Sequence, residues 1–186
     1  MENMSKITLV TGGSRSGKSS FSEKLLRSTD DVLYIATSII TDKEMEDRVN
    51  RHIRGRNPKW ITLEAYEDLH EKIKNYKEKY ILLDCVTIMT TNLMFKTHMD
   101  YDNLTQEEID KVSEYIKLQF KLLIDEVKNT GRELILVTNE VGLGIVPENK
   151  LSRIFRDIAG FVNQYIASLS HDVYLVTCGI PLKIKG

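Results

Sequence analysis

The chain has only two cysteines, three prolines and one tryptophan among 186 residues. Cys85 and Cys178 lie far apart in apolar runs, and no Cys/His group has the short spacing of a zinc site. A disulfide framework and a structural zinc are therefore excluded, and both thiols are expected in core strands of a protein from a reducing compartment. Charge of one sign is also missing: Lys plus Arg is 26, Asp plus Glu is 27, and the formal net charge is -1. A general nucleic-acid binder carries a strong basic excess, so nucleic acid is not an expected partner. No apolar stretch approaches the roughly 20 residues of a membrane span. Met1 to Lys6 lacks the apolar core of a secretory signal. The expectation is a cytoplasmic protein with no membrane span.

What is present is ordinary globular material, 41% hydrophobic and 28% charged. A chain of this length buries about 70% of its unfolded surface and needs no covalent staple. There is no internal repeat, low-complexity tract or Pro/Gly-rich linker, so residues 1–186 are expected to form a single nucleotide-binding domain, as the motifs below specify.

Short apolar, β-branched runs at Ile7–Thr11, Val32–Ala36, Tyr80–Cys85, Glu133–Thr138 and Val173–Cys178 read as buried strands. Leu182–Lys185 can add an edge strand. Helical patterns occupy Gly17 to about Arg27, Asp42–Arg56, Tyr66–Lys77, about Thr105–Asn129 and Glu148 to about Ser168. Thr105 and Glu108 form a capping box, and Ile109, Val112, Ile116, Phe120, Leu123 and Val127 recur at helical spacing behind it. Trp60–Ala65 reads as extended. Val86–Phe95 is nearly free of charge and has no assignable period; it can line a substrate pocket or pack against a neighbouring subunit. Strands alternating with helices, and apolar on both faces, predict an α/β fold with a mostly parallel sheet and helices on both sides.

The sharpest motif is Gly12-Gly13-Ser14-Arg15-Ser16-Gly17-Lys18-Ser19, which fits G-x-x-x-x-G-K-[ST] between a predicted strand and a predicted helix. Such a loop wraps backbone N–H groups around phosphate oxygens, with the helix N-terminus adding a positive dipole. Lys18 is expected to reach the β- and γ-phosphates, and the Ser19 hydroxyl to coordinate Mg²⁺. Asp84 ends a core strand, where a carboxylate can hold the same ion.

Arg48, Arg51, Arg54 and Arg56 surround His52, with Met45, Val49 and Ile53 as an apolar stripe alongside. Spacing alone favours a half-buried histidine on a solvated basic face. The functional alternative is an imidazole beside a second phosphate site, acting as proton carrier or as nucleophile on phosphorus. His70, His98 and His171 read as surface residues. Glu140 follows a core strand at the end where open α/β sheets bind ligands, which places it near phosphates or acceptor. Arg153, Arg156 and Asp157 share a helix face with Gly160 beyond them.

Several segments together resemble one family. They are Thr11 through Ser19, Tyr34-Ile35-Ala36-Thr37-Ser38, and Arg48 through His52 to Arg56 with Pro58, Trp60 and Glu64. The last is the run from Val137 through Gly142 and Gly144–Pro147 to Arg156–Gly160, Asn163 and Gln164. The chain resembles the bifunctional adenosylcobinamide kinases/adenosylcobinamide-phosphate guanylyltransferases along nearly its whole length. The resemblance implies a P-loop, RecA-like fold, a homotrimer, and adenosylcobinamide and its phosphate as substrates, with ATP, GTP and Mg²⁺ in use. It implies phosphorylation of the aminopropanol hydroxyl of adenosylcobinamide, then transfer of GMP from GTP through a guanylyl-histidine to give adenosyl-GDP-cobinamide. The matching histidine is His52, and Lys18 is the second catalytic residue. GTP contacts carry over to Gly12, Gly13, Ser14, Arg15, Ser16, Gly17, Lys18, Ser19, Thr37, Ser38, Ile39, Ile53, Arg54, Gly55, Arg56, Glu64 and Asp84, and metal ligation to Ser19 and Asp84. Two alternatives remain at this stage: a small-molecule P-loop kinase without nucleotidyl transfer, and a nucleotide-dependent regulatory module.

Overall fold

In a computed structural model, residues 5–39, 43 and 56–186 are described. The expected helix over Asp42–Arg56 falls almost wholly outside them. The chain runs β1 (Ile7–Thr11), α1 (Lys18–Leu25), β2 (Val32–Ala36), β3 (Ile61–Glu64), α2 (Leu69–Lys72) and a 3₁₀ turn at Ile73–Asn75. It continues through β4 (Tyr80–Asp84), α3 (Val86–Thr97), α4 (Gln106–Asn129), β5 (Glu133–Val137), α5 (Lys150–Leu169), β6 (Asp172–Thr177) and β7 (Ile180–Lys185).

The strands form one 7-stranded sheet in the order β3-β2-β4-β5-β1-β6-β7. All neighbours pair in parallel except β7, which turns back antiparallel on β6. This is the mostly parallel P-loop architecture expected of the sequence. The central strands β1, β2, β4 and β5 are apolar in both directions because both of their faces are covered, whereas the edge strands β3 and β7 are largely exposed. Leu33 and Ile35 join the core under α3, α4 and α5, whereas Val32 and Tyr34 face the side that Leu26, Trp60 and Phe21 cover. The Trp60 indole N–H also donates to Thr29 O at 3.0 Å, fixing the entry to β3.

Helix α4 shows how local and tertiary signals agree. Thr105 caps it reciprocally with Glu108, and every member of the predicted stripe from Ile109 to Val127 is buried. Three expectations change. Val86–Thr97 is a helix whose Val86, Met89, Leu93 and Met94 fill this chain's own core; its buried side also holds Thr87 and Thr90 while Phe95 is exposed, so apolar and polar residues do not separate into two faces and no period shows in the sequence. Tyr66–Lys77 is not one helix: only Leu69 and Ile73 are fully buried in it, and it shortens to α2 plus the 3₁₀ turn, entered through Asp68 at φ 49. Cys178 is not in a core strand, since β6 stops at Thr177 and Cys178 occupies the exposed turn at φ 53.

The histidines divide in a similar way. His171 is exposed, but its Nδ1 accepts the Ile7 N–H at 3.0 Å. His70 and His98 are half-buried rather than fully superficial, each with a buried Nδ1.

Candidate active site

The carboxyl ends of β1, β4 and β5 open onto a cleft of about 510 Å³ lined by Ser14–Ser20, Asp84, Cys85, Ile88, Val137 and Asn139. The loop that follows β1 is shaped by what lies beneath it. At Gly12 (φ 153) a Cβ would come within 2.3 Å of Val176 O, so the loop root sits directly on β6. Gly17 (φ 98) caps α1 in the left-handed region, and a Cβ there would meet Gly179 Cα at 3.1 Å. The Gly179 N–H donates to Ser16 O at 2.8 Å, so the β6–β7 turn braces the loop from the side. These contacts leave the N-terminus of α1 aimed into the cleft, which is an anion site by geometry.

Lys18 reaches back across the loop, its Nζ donating to Gly13 O at 2.6 Å. Burial pulls its pKa below the ordinary lysine value, while Cys85 and Asp84 work in the opposite direction. A partly desolvated ammonium gains more from a polyphosphate than a hydrated one does. Ser19 lines the same cleft. Opposite stands Asp84, whose Oδ2 accepts a hydrogen bond from the Tyr34 hydroxyl at 3.2 Å. One hydroxyl and one carboxylate are hard oxygen donors, and among the described residues no group of three or more His, Cys, Asp or Glu forms a separate metal cage. This donor set fits a Mg²⁺ ion delivered with a triphosphate.

Other residues singled out by sequence take different places. Thr37 is buried, its hydroxyl donating to Cys85 O and accepting the Cys85 N–H, both at 2.8 Å. It thereby ties β2 to the bend after Asp84. Ser38 and Ile39 follow it, and Ile39 is exposed. Glu64 is exposed at the end of edge strand β3 and does not line the cleft. Arg56 stacks its guanidinium 3.8 Å from the centre of the Tyr34 ring, and so adjoins the partner of Asp84. His52, Ile53, Arg54 and Gly55 lie outside the described residues. Glu140 uses its carboxylate locally, accepting the Gly142 N–H at 3.0 Å, while its own N–H donates to Gly12 O at 3.0 Å. Arg153 holds the preceding loop through Pro147 O at 3.1 Å and through Glu148 O. Arg156 pairs with Asp157 at 3.3 Å.

Sequence reasoning did not single out Asn139, Tyr34 or Cys85 as individual parts of the site. The available signal for Asn139 was its position just past the carboxyl end of a core strand. Tyr34 stood in a segment that carries the resemblance, but nothing in spacing marked its contact with Asp84, which crosses between strands.

A glycine loop joining a core strand to a helix, with a lysine on its rim and a carboxylate two strands away, defines a P-loop protein that works on nucleoside triphosphates. Residues 8–184 match the family described as cobinamide kinase / cobinamide phosphate guanyltransferase. The bifunctional adenosylcobalamin biosynthesis protein CobU of Escherichia coli K12 is 45% identical over 179 residues, covering 95% of this chain and 98% of that protein. CobU of Salmonella typhimurium LT2 is equally similar, at 45% over 179 residues with the same coverage. The bifunctional protein CobP of Pseudomonas aeruginosa PAO1 is 34% identical over 181 residues, 96% of each chain. Among solved structures, the KaiC-like protein PH0186 from Pyrococcus horikoshii OT3 aligns with a TM-score of 0.47 at 14% identity, over 94% of this chain and 71% of that one. The chain belongs to the cobinamide kinase / cobinamide phosphate guanyltransferase family, and it is a transferase.

Proposed function

We propose that one P-loop domain, spanning the chain, performs two transfers in succession. In the first, the aminopropanol hydroxyl of adenosylcobinamide attacks the γ-phosphorus of ATP or GTP; the hydroxyl loses its proton and the nucleoside diphosphate leaves. In the second, an imidazole nitrogen of His52 attacks the α-phosphorus of GTP and pyrophosphate leaves. The new phosphate on cobinamide then attacks the guanylyl-histidine, giving adenosyl-GDP-cobinamide and regenerating the imidazole.

The observation that carries this reading is the cleft itself, with Ser14–Ser20 and Asp84 on facing walls in a chain that matches the family over residues 8–184. The loop N–H groups and α1 bind phosphate oxygens, and Lys18 offsets charge as a phosphoryl group transfers. A Mg²⁺ ion held by Ser19 and Asp84 supplies further neutralisation when bound. Arg56, with Ile53, Arg54 and Gly55, brings the His52 segment to the nucleotide; its stacking on Tyr34, the residue bonded to Asp84, supports that approach. Thr37, Ser38, Ile39 and Glu64 stand outside the lining of the phosphate cleft and, in this reading, meet the nucleoside part of the nucleotide beyond it.

The reading includes a homotrimer in the cytoplasm. Ile180, Leu182 and Ile184 form an exposed apolar row on β7, a surface of the kind that subunits cover. Among the described residues no helix is long and apolar enough to cross a membrane.

Incubation with adenosylcobinamide, ATP, GTP and Mg²⁺, followed by mass spectrometry, should yield adenosylcobinamide phosphate and then adenosyl-GDP-cobinamide. Lys18→Ala should yield neither. Full phosphorylation by that variant would remove the loop from the mechanism.

A further inference from the structure

Asn139 stands at the centre of the site's geometry. In the sheet, Val137 is the register partner of both Val10, at the root of the phosphate loop, and Asp84. Asn139 lies two residues beyond that shared partner and lines the cleft between loop and carboxylate. Its main chain is held by a closed hydrogen-bond circuit. The Asn139 N–H donates to Thr87 Oγ1 at 2.8 Å. The Thr138 hydroxyl donates to Asn163 Oδ1 at 2.7 Å, so the 3.3 Å contact between Thr87 and Thr138 runs from the Thr87 hydroxyl to Thr138 Oγ1. The Asn163 amide closes the loop by donating to Asn139 O at 3.1 Å.

This circuit draws one residue from α3, one from α5 and two from the segment just past β5. Thr87, Thr138 and Asn163 are all buried. Every hydroxyl proton in it is used, and both main-chain polar groups of Asn139 are fixed. The Asn139 carboxamide takes no part and has no hydrogen-bond partner among the described residues. A buried network fixes the main chain of a residue that lines the phosphate cleft and leaves its carboxamide unpaired, so the amide is available there as a donor anchored at its root.

We propose that the Asn139 amide donates to an oxygen of the phosphoryl group in transfer, and that Thr87, Thr138 and Asn163 are positioning residues for it. This rests on the kinase reading above. Because the circuit uses only the main chain of Asn139, Asn139→Ala leaves the fold and its melting temperature unchanged. It lowers kcat for cobinamide phosphorylation about a hundredfold, the usual scale for loss of one such donor, with little change in KM for the nucleotide. Thr87→Val lowers kcat in the same direction and Thr87→Ser restores it. The double variant Thr87→Val/Asn139→Ala is no slower than Asn139→Ala alone, since the circuit acts only through the amide.

A second measurement needs no cobinamide. ADP or GDP with Mg²⁺ and aluminium fluoride mimics the phosphoryl group in transfer, and the parent protein should bind it more tightly than the diphosphate alone. Asn139→Ala should lose that added affinity and keep the affinity for diphosphate. If the parent forms the fluoride complex but phosphorylates no cobinamide, the acceptor reading fails and this inference stands. The inference is overturned if Asn139→Ala keeps kcat within twofold of the parent, if it keeps the fluoride-dependent affinity, or if the two substitutions multiply.

Discussion

The Tyr34 hydroxyl donates to Asp84 Oδ2 at 3.2 Å from the adjacent parallel strand, with the Arg56 guanidinium stacked over the Tyr34 ring. Burial, reinforced by the Asp84 carboxylate, pushes the Tyr34 pKa far above its ordinary value, so the phenol remains a donor across the whole working range. The carboxylate proposed to hold Mg²⁺ is thereby oriented by a neutral, rigid partner. Tyr34→Phe keeps the ring under Arg56 and removes only that bond. It should raise the Mg²⁺ concentration for half-maximal turnover by about tenfold, the low end for loss of a partner behind a metal ligand. An unchanged Mg²⁺ titration would show that the bond does not orient a ligand.

The two thiols should behave differently. Cys85 is buried, and desolvation, followed by the neighbouring Asp84 charge, pushes its pKa up to about 12. It stays a protonated thiol at pH 8. Cys178 is exposed in the β6–β7 turn. Native protein treated with a thiol-specific alkylating reagent should take up one label quickly, at Cys178, and a second only after denaturation. Rapid labelling of Cys85 would mean that the cleft floor opens in solution.

Acid stability depends in part on Asp172. Its side chain is buried between Lys183 at 2.8 Å and Lys6 at 2.7 Å, and hydrogen bonds from Lys183 and then Lys6 hold its pKa below the ordinary 3.8. A carboxylate with a depressed folded pKa contributes stability above pH 3.8 that disappears as pH falls through the lower, folded value. Asp172→Asn should therefore be less stable than the parent at neutral pH, with the gap closing as pH drops below that range. Denaturant titrations at several pH values test this; a gap constant down to the acid end would assign the loss to packing instead.

The capping box of α4 permits a test of fold without touching the site. Thr105 Oγ1 accepts the Glu108 N–H at 3.4 Å, and Glu108 Oε2 accepts the Thr105 N–H at 2.8 Å. Thr105→Ala should lower the melting temperature by about 3 °C and leave nucleotide affinity unchanged. Altered nucleotide affinity would indicate that α4 is coupled to the cleft.

Local signals were the legible ones. The glycine loop, the central strands and the caps of α4 are written in a few adjacent residues, so the sequence reading reaches them within a residue or two. The helix Val86–Thr97 was not legible because its buried side mixes Thr87 and Thr90 with Val86, Met89, Leu93 and Met94 while Phe95 is exposed, so no apolar stripe stands apart from a polar face. Cys178 was misplaced because an apolar run does not say where β6 ends and its turn begins. The site was legible at Lys18, Ser19 and Asp84, which a motif marks. It was not at Tyr34, or at the circuit of Thr87, Thr138, Asn139 and Asn163, whose members meet only when α3, β5 and α5 pack together. The role of His52 comes from the family resemblance, since its arginine-rich surroundings are equally those of a solvated helix face.

The central claim is that GMP passes through His52. Protein incubated with GTP labelled at the α-phosphorus, denatured without acid and digested, should carry the label on the peptide containing His52. His52→Ala should take up none while still phosphorylating cobinamide. Label on any other residue, or undiminished label on the variant, would contradict the account.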